Sequence, residues 1–531
     1  MGVTGLGQAP PAPVPKLFGD LLHNYGRVER FYPHPPSFEA AVAASRHVRM
    51  DRGHRKRLVD ELASQNPAAA AQSSLSMLAS DGTVAVVTGQ QVGLLGGPAF
   101  TLYKALTAVR CAAELTRGGT PAVPVFWLAT EDHDLEEVDH AWVWRPDGPP
   151  HRVRAATAGP QGAAVGQISI RDARLDEFAA CCEGGSHAAA AIDLAKRHYS
   201  APTDLGRSFR GLYGSLLEHT GLLFLCPLAP AIRELARPIL RDAVLQTPKL
   251  SGDLLRRGGS LRAAGYHEQV RFQGSSSLLM LFEGAERVAL RSKNGAFASK
   301  SRLYTSAELL ARLEDSPTDV SPSALLRPVV QDFLLPTTAL IVGPSEASYL
   351  AQSAVLYRRL VERMPAVLPR ASFTVVDGAS RKLVAKYGLS AADCFGPRSA
   401  LEAAISKRLV PDGVRSTLDR ERESIERSLA AMESAVGSFD PTLAEGFRKS
   451  KSKIGYQLDK TTAKVGREAL RRNATASRQA SRLAHWMRPS GHMQERVYCV
   501  LSLIARFGTE LPDAVYRAIE PGWGDHALLN V

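Results

Sequence analysis

Glu131, Asp132, His133 and Asp134 put three carboxylates and an imidazole directly after the apolar run "VPVFWLAT" (123–130). Charge at the end of a buried segment is costly unless it binds something. These residue types can serve as a general base, hold an ammonium or hydroxyl group, or ligate a metal. Consecutive residues cannot all face one point, so about two of the four are expected to reach a ligand, with Asp132 or His133 as the base. A second group lies in "VVTGQQVGLLGGPAFTLYK" (86–104). Gly89, Gly93, Gly96 and Gly97 allow sharp turns and close approach of a ligand to the backbone. Gln90 and Gln91 add paired amides, Thr101 a hydroxyl, and Lys104 a cation suited to phosphate or carboxylate. The turn matches neither GxxxxGK[ST] nor GxGxxG. The helix after it starts near Pro98, where free N–H groups and the dipole favour an anion. A third group spans "LLRPVVQDFLLPTTALIVGPSEASYLAQ" (325–352). Arg327, Gln331 and Asp332 precede a buried strand, and Gly343 and Glu346 follow it. Glu346 falls at a helix N-terminus, where the macrodipole favours an acid.

The elements that must position these residues follow from patterning. "VAVVT" (84–88) is β-branched and apolar, and "AFTLYKALTAVRCAAELTRGG" (99–119) has helical spacing closed by two glycines. With "VPVFWLAT" they form a βαβ unit, whose strands are parallel and joined right-handedly. Ligands of such sheets bind beyond the carboxyl ends of the strands. "TGQQVGLLGGP" is therefore expected beside "EDHDLEEVDH". Further buried strands are expected at "LLFLCP" (222–227), "TTALIVG" (337–343) and "FTVVD" (373–377), with helices between them. The expected fold class is α/β, a doubly wound parallel sheet.

The expected organisation is a helical segment over 1–80 and a core in two parts, 81–227 and 336–395. Between them, 228–335 carries small antiparallel strands read from "YHEQVRF", "SSLLMLFEG" and "ERVALRS". Residues 396–490 read as a helical hairpin. Leu418, Ile425, Leu429, Met432 and Val436 are spaced as in a coiled coil, "GSFDP" breaks the run, and Ile454, Leu458, Val465 and Ala469 form a second stripe. Residues 491–531 are apolar enough to pack back on the core.

Composition narrows the function classes. The chain has 531 residues, 45% of them hydrophobic, and a net charge of +12, which excludes wholesale disorder. Residues 401–490 hold 18 Lys and Arg against 11 Asp and Glu, so much of the positive surplus is local. The hairpin lacks the interleaved aromatics of single-strand binders, and no nucleic-acid partner is expected. Six cysteines form no CxxC pair, which fits a reducing cytoplasm. The N-terminal stretch lacks the apolar core of a signal peptide, and no run reaches the ~20 apolar residues of a membrane helix.

Taken together, "VVTGQQVGLLGGPAFTLYKALTA", "VPVFWLATEDHDLEEVDH", "GYHEQVRF", "LLRPVVQDFLLPTTALIVGPSEASYLAQ" and "GHMQERVYCVLSLIARFG" resemble the bacillithiol biosynthesis cysteine-adding enzyme family. The matches run in order from about residue 84 to 507. The resemblance implies a Rossmann-like core related to class I aminoacyl-tRNA synthetases, with connecting-peptide insertions and a C-terminal antiparallel coiled coil used for homodimerisation. It implies a ligase that joins cysteine to glucosaminyl malate by an amide bond, with ATP or another nucleotide activating the cysteine. The turn at Gly89–Pro98 has no histidine of a HIGH motif, no KMSKS is evident, and no cluster has the spacing of a zinc site. Two other readings stand beside this one: a metal-dependent hydrolase built on Asp132, His133 and Asp134, and a binding or scaffold protein working through the basic hairpin.

Overall fold

The protein is described by a computed structural model covering residues 2–5, 14–146, 148–293, 295–522 and 524–531. Its centre is a five-stranded parallel sheet: β1 (Val84–Gln90), β2 (Ala122–Leu128), β3 (Leu223–Leu225), β4 (Thr337–Val342) and β5 (Ala366–Pro369). The spatial order is β5-β4-β1-β2-β3, and every neighbouring pair is parallel. From β1 the chain winds outward through β2 and β3, then returns to the other side for β4 and β5. The direction of winding reverses between β1 and β4, where such sheets open a crevice.

All residues of β2 and β4 are buried, as expected for strands covered on both faces. The two-residue period sorts their side chains. Val87, Val125, Trp127 and Leu340 enter one apolar cluster, while Val86, Ala122, Ile341 and Leu368 enter another with Cys111 and Leu115. The helices that carry the candidate residues are α1 (Phe100–Arg117), α2 (Pro230–Leu245), α3 (Arg327–Leu334) and α4 (Pro344–Leu360).

Two expected strands are corrected. "FTVVD" lies outside the parallel sheet: Ser372–Val376 adjoins His526–Asn530, which pairs with Gly2–Gly5. The fifth place belongs to "AVLP", a run too short and too proline-bounded to read as a strand from pattern alone. "YHEQVRF" is not a strand either. The Gln352 side chain accepts from Val270 N at 3.0 Å and donates to Val270 O at 2.8 Å, so this segment is pinned to α4 as coil. The antiparallel insert is present. Its five strands run in the order Leu303–Tyr304, Ala296–Ala298, Glu286–Lys293, Ser276–Glu283, Val320–Pro322.

The chain divides into two compact units. The first comprises Met1–Arg145, Pro150–Val375 and Glu495–Val531; the second comprises Pro146–Pro149 and Val376–Gln494. The boundary thus falls at residue 376, earlier than the 396 read from sequence. Within the second unit, α5 (Asp412–Phe439) and α6 (Pro441–Arg472) form the hairpin. The break is narrower than "GSFDP": Gly437–Phe439 stay helical, and Asp440 alone turns the chain, its side chain accepting from Thr442 N at 2.7 Å. Lys451 reaches Glu433 at 2.8 Å across the pair. Among the described residues no helix is long and apolar enough to cross a membrane.

Candidate functional site

A buried lysine lies at the switch point between β1 and β4. Lys104, in α1, is 1% exposed. Its ammonium donates to the Gly89 carbonyl and, at 3.2 Å, to Gln90 Oε1, and it pairs with Glu346 Oε2 at 2.5 Å. The same Glu346 oxygen accepts from Gly343 N at 2.9 Å, capping α4. One ion pair therefore ties the end of β1, the second turn of α1 and the start of α4 at the switch point. Burial pulls the Lys104 pKa below its usual value, and Glu346 opposes that shift. A buried pair is tolerated only when its geometry repays desolvation, and these convergent acceptors supply it.

Arg327, at the start of α3, donates to Gln331 Oε1 at 3.0 Å and to Tyr349 Oη at 2.9 Å. Burial disfavours its charged form, but Tyr349 and Glu346 outweigh this and hold its pKa above the ordinary value. Gln331 itself is buried and donates onward to Asp332 at 3.1 Å, so it braces Arg327 rather than lining a crevice. Asp332 is fully buried against the Tyr357 hydroxyl. Burial raises its pKa, and the Tyr357 bond counters part of the rise.

The two strand-end loops meet as the parallel pairing requires. Ala129 N donates to Gln90 O at 3.0 Å, and Leu94 N to Val138 O at 2.9 Å. Gln91 Nε2 donates to Asp132 Oδ2 at 3.0 Å and also to Glu137. Asp132 is half-buried, and its other oxygen accepts from His133 N at 2.8 Å and Asp134 N at 3.4 Å. The loop thus folds around the Asp132 carboxylate. His133 and Asp134 are exposed. Glu131 turns inward. It is 3% exposed, its Oε2 accepts from Arg233 Nη2 of α2 at 2.7 Å, and its Oε1 has no partner among the described residues. Of the four consecutive residues, Asp132 is the one that meets the glutamine loop.

The glycines divide. Gly89 and Gln90 are half-buried at the strand end, but Gly96 and Gly97 are fully buried in the turn. Gly96 has φ +87°, and a Cβ there would lie 3.0 Å from Leu212 Cδ2 and from Val500 Cβ. Its N–H donates to Tyr199 Oη at 3.0 Å, and its carbonyl accepts from Tyr213 Oη at 2.9 Å. Gly97 N donates to Leu94 O, Gly97 O accepts from Val500 N at 3.0 Å, and Ala99 N donates to Tyr498 O at 2.9 Å. These bonds consume the N–H groups that a phosphate would need. Gly96 and Gly97 are corrected from ligand contacts to close-packing positions. Thr101, fully buried behind Gly97, is corrected with them.

Sequence reasoning missed Arg370 and Glu495. Arg370 follows β5 and makes a two-pronged pair with Glu495 at 2.5 and 3.0 Å. The Arg370 Nε lies 3.7 Å from where a Gly343 Cβ would stand, beside the switch point. Burial would raise the Glu495 pKa, but Arg370 outweighs it and holds the carboxyl low. A correct placement of β5 would have put Arg370 at a strand end, which was the available signal. Among the described residues no group of three His, Cys, Asp or Glu side chains converges in a way that could hold a metal.

Comparison with known proteins agrees along the whole chain. Residues 8–371 match the family model described as bacillithiol biosynthesis BshC, N-terminal Rossmann-like domain, and residues 373–531 match the BshC C-terminal coiled-coil domain. The chain is 40% identical over 520 residues to the Solibacter usitatus protein named "Putative cysteine ligase BshC", covering 97% of each. It is 33% identical to the protein of the same name from Koribacter versatilis, covering 96% of this chain and 97% of that one. It is 30% identical to that of Salinibacter ruber, covering 99% and 98%. On these matches, the chain belongs to the BshC family of bacillithiol biosynthesis.

Proposed function

We propose that this protein is a cysteine ligase that joins cysteine to glucosaminyl malate through an amide bond. The observation that carries this reading is the buried Lys104–Glu346 pair at the β1/β4 switch point with the Asp132 loop hydrogen-bonded beside it. The names of the relatives supply the reaction class. In this scheme Gln90, Gln91 and Gly89 bound the substrate site, Arg327 faces the anionic parts of the substrates, and Lys104 holds Gly89, Gln90 and Glu346 in place behind them. Asp132 takes the proton from the sugar amine as its nitrogen attacks the carbonyl carbon of activated cysteine. The C–N bond forms, and the activating group leaves with its electron pair. Gln91 fixes the carboxylate that does this work.

A nucleotide would supply the activation. The buried Gly96–Gly97 turn does not fit its phosphates, because its N–H groups are already bonded, and the three donors of Lys104 are bonded likewise; Arg327 is the residue suited to meet them. We assign the protein to the cytoplasm on its six free thiols and propose a homodimer through the hairpin, where Met432, Phe439, Leu443 and Tyr456 are exposed.

The test is mass spectrometry of purified protein with cysteine, glucosaminyl malate and ATP. Bacillithiol with AMP is the expected outcome, and bacillithiol with ADP would redirect the activation step to an acyl phosphate. No product with any nucleotide would overturn the proposal. An active Asp132→Asn enzyme would remove the base assignment alone.

A further inference from the structure

The antiparallel insert reaches the Asp132 loop by two routes, and both start at one buried arginine. Arg287 lies on the insert strand Glu286–Lys293 and is 8% exposed. Along the first route its backbone N–H donates to Gly162 O at 2.9 Å. Three residues on, Val165 N donates to Asp132 O at 2.6 Å, and Gly166 N donates to Thr130 O at 2.9 Å. The chains come this close because residue 166 has no side chain: a Cβ there would stand 2.7 Å from Thr130 Cβ. Along the second route the Arg287 guanidinium donates from Nε to Ser321 Oγ at 3.0 Å and from Nη2 to Pro322 O at 2.7 Å. In the same strand, Val320 O accepts from Arg233 Nη1 at 3.4 Å, and Arg233 Nη2 donates to Glu131 Oε2 at 2.7 Å. Glu131 and Asp132 are consecutive, so the two routes close into a ring.

The side chains that carry the ring, Arg287, Ser321, Arg233 and Glu131, are all buried. Burial pulls the Arg287 pKa below its ordinary value, and the charge of Glu131 opposes that shift. A buried ion pair can often be exchanged for packed apolar residues with no loss of stability. Stability alone therefore does not account for two buried arginines in one ring. What the ring adds is direction. The Asp132 backbone is held at its own carbonyl by Val165 and, through the Glu131 side chain, by α2. Its carboxylate is left with only the freedom that Gln91 and the loop's own N–H groups allow.

We propose that Arg287 is a positioning residue: acting through this ring, it aims the Asp132 carboxylate at the substrate amine, and the insert is thereby part of the catalytic frame. The inference rests on the ligase reading and on Asp132 as its base.

A double-mutant cycle on the full-length enzyme tests it. Arg287→Met keeps much of the side-chain volume and removes the guanidinium. The kcat for bacillithiol formation is expected to fall about tenfold, with KM for cysteine and for glucosaminyl malate changed by less than about twofold. In the Asp132→Asn background the same substitution should leave the residual turnover unchanged, because a residue that acts through Asp132 then has nothing to aim. Glu131→Gln enters the ring from its other side and should repeat the pattern, which keeps the test open if Arg287→Met folds poorly. Arg291→Gln, exposed on the same strand and outside the ring, should keep full turnover. Hydrogen exchange reads the ring without turnover: amides of residues 130–139 should exchange about tenfold faster in Arg287→Met, with thermal melting unchanged. An equal loss of kcat in both backgrounds, a loss confined to KM, or unchanged exchange in the loop would each overturn the proposal and leave the ligase reading standing. A wild-type protein that makes no bacillithiol would overturn the ligase reading first, and the positioning role with it.

Discussion

The switch-point cluster and the Asp132 loop lie side by side but are built in opposite ways. Lys104 is shut away from water and held by three acceptors, two at the end of β1 and one in the first turn of α4. Asp132 is half-open, and its neighbours His133 and Asp134 are exposed. In the first region the desolvation cost is met during folding, so its charge is fixed in place before any ligand arrives. In the second, one carboxylate is steadied by Gln91 and its own loop while remaining reachable. A fixed charge suits binding and orientation. A reachable carboxylate suits proton transfer.

The sharpest way to break this comparison is Lys104→Met, which leaves Glu346 without its cation and Gly89 O without a donor. Product formation should fall about 1,000-fold, and removing one member of a buried pair should cost about 3 kcal/mol of stability. Steady-state kinetics and urea unfolding read the two effects. A double-mutant cycle with Glu346→Gln should show that the losses are not additive. Asp132→Asn should lower turnover about 100-fold with thermal unfolding unchanged. An equal stability loss in both variants would erase the distinction between the regions.

The support beneath the switch point has its own signature. His526 bonds Ser372 Oγ at 2.7 Å and Thr374 Oγ1 at 2.9 Å. Burial, against the pull of Glu495, lowers its pKa from 6.5 to about 4. The unfolded chain therefore takes up this proton first as pH falls. The contribution is complete above about pH 6.5 and is lost progressively toward pH 4, by about 3 kcal/mol at most. Urea midpoints at pH 7, 6 and 5 should show this slope in the wild type and a flatter one in His526→Gln. The smallest effect is expected at Gly96→Ala. The positive φ and the contacts with Leu212 and Val500 predict a loss of about 2 kcal/mol, with kcat of the folded fraction unchanged. A selective loss of substrate binding there would return the turn to the ligand.

Much of the positioning was legible in the sequence, because β1, β2 and β4 are continuous apolar runs and their order forces the loops together. "GQQ" and "EDHD" could be placed side by side on that basis alone. The pattern could not say which face of a consecutive run turns inward. Glu131 pairs with Arg233 from α2, a contact set by a helix about a hundred residues away in sequence. Nor could it separate glycines that admit a ligand from glycines that admit a neighbouring chain, since both require the same missing Cβ. Gly96 is explained by Leu212 and Val500, which only the tertiary fold brings to it. Arg370 was hidden by β5, four residues ending in proline, and Glu495 by a segment read only as apolar enough to pack back on the core.

The most direct test of the central claim is a crystal structure of the protein with cysteine and glucosaminyl malate bound. The account predicts ligand density at the β1/β4 switch point, bounded by Gln90, Lys104, Arg327 and Glu346, with the sugar amine within hydrogen-bond reach of Asp132. Substrate ordered elsewhere, such as in the cavity of about 720 Å³ between His34, His54 and Arg363, with the switch point holding only water, would contradict it.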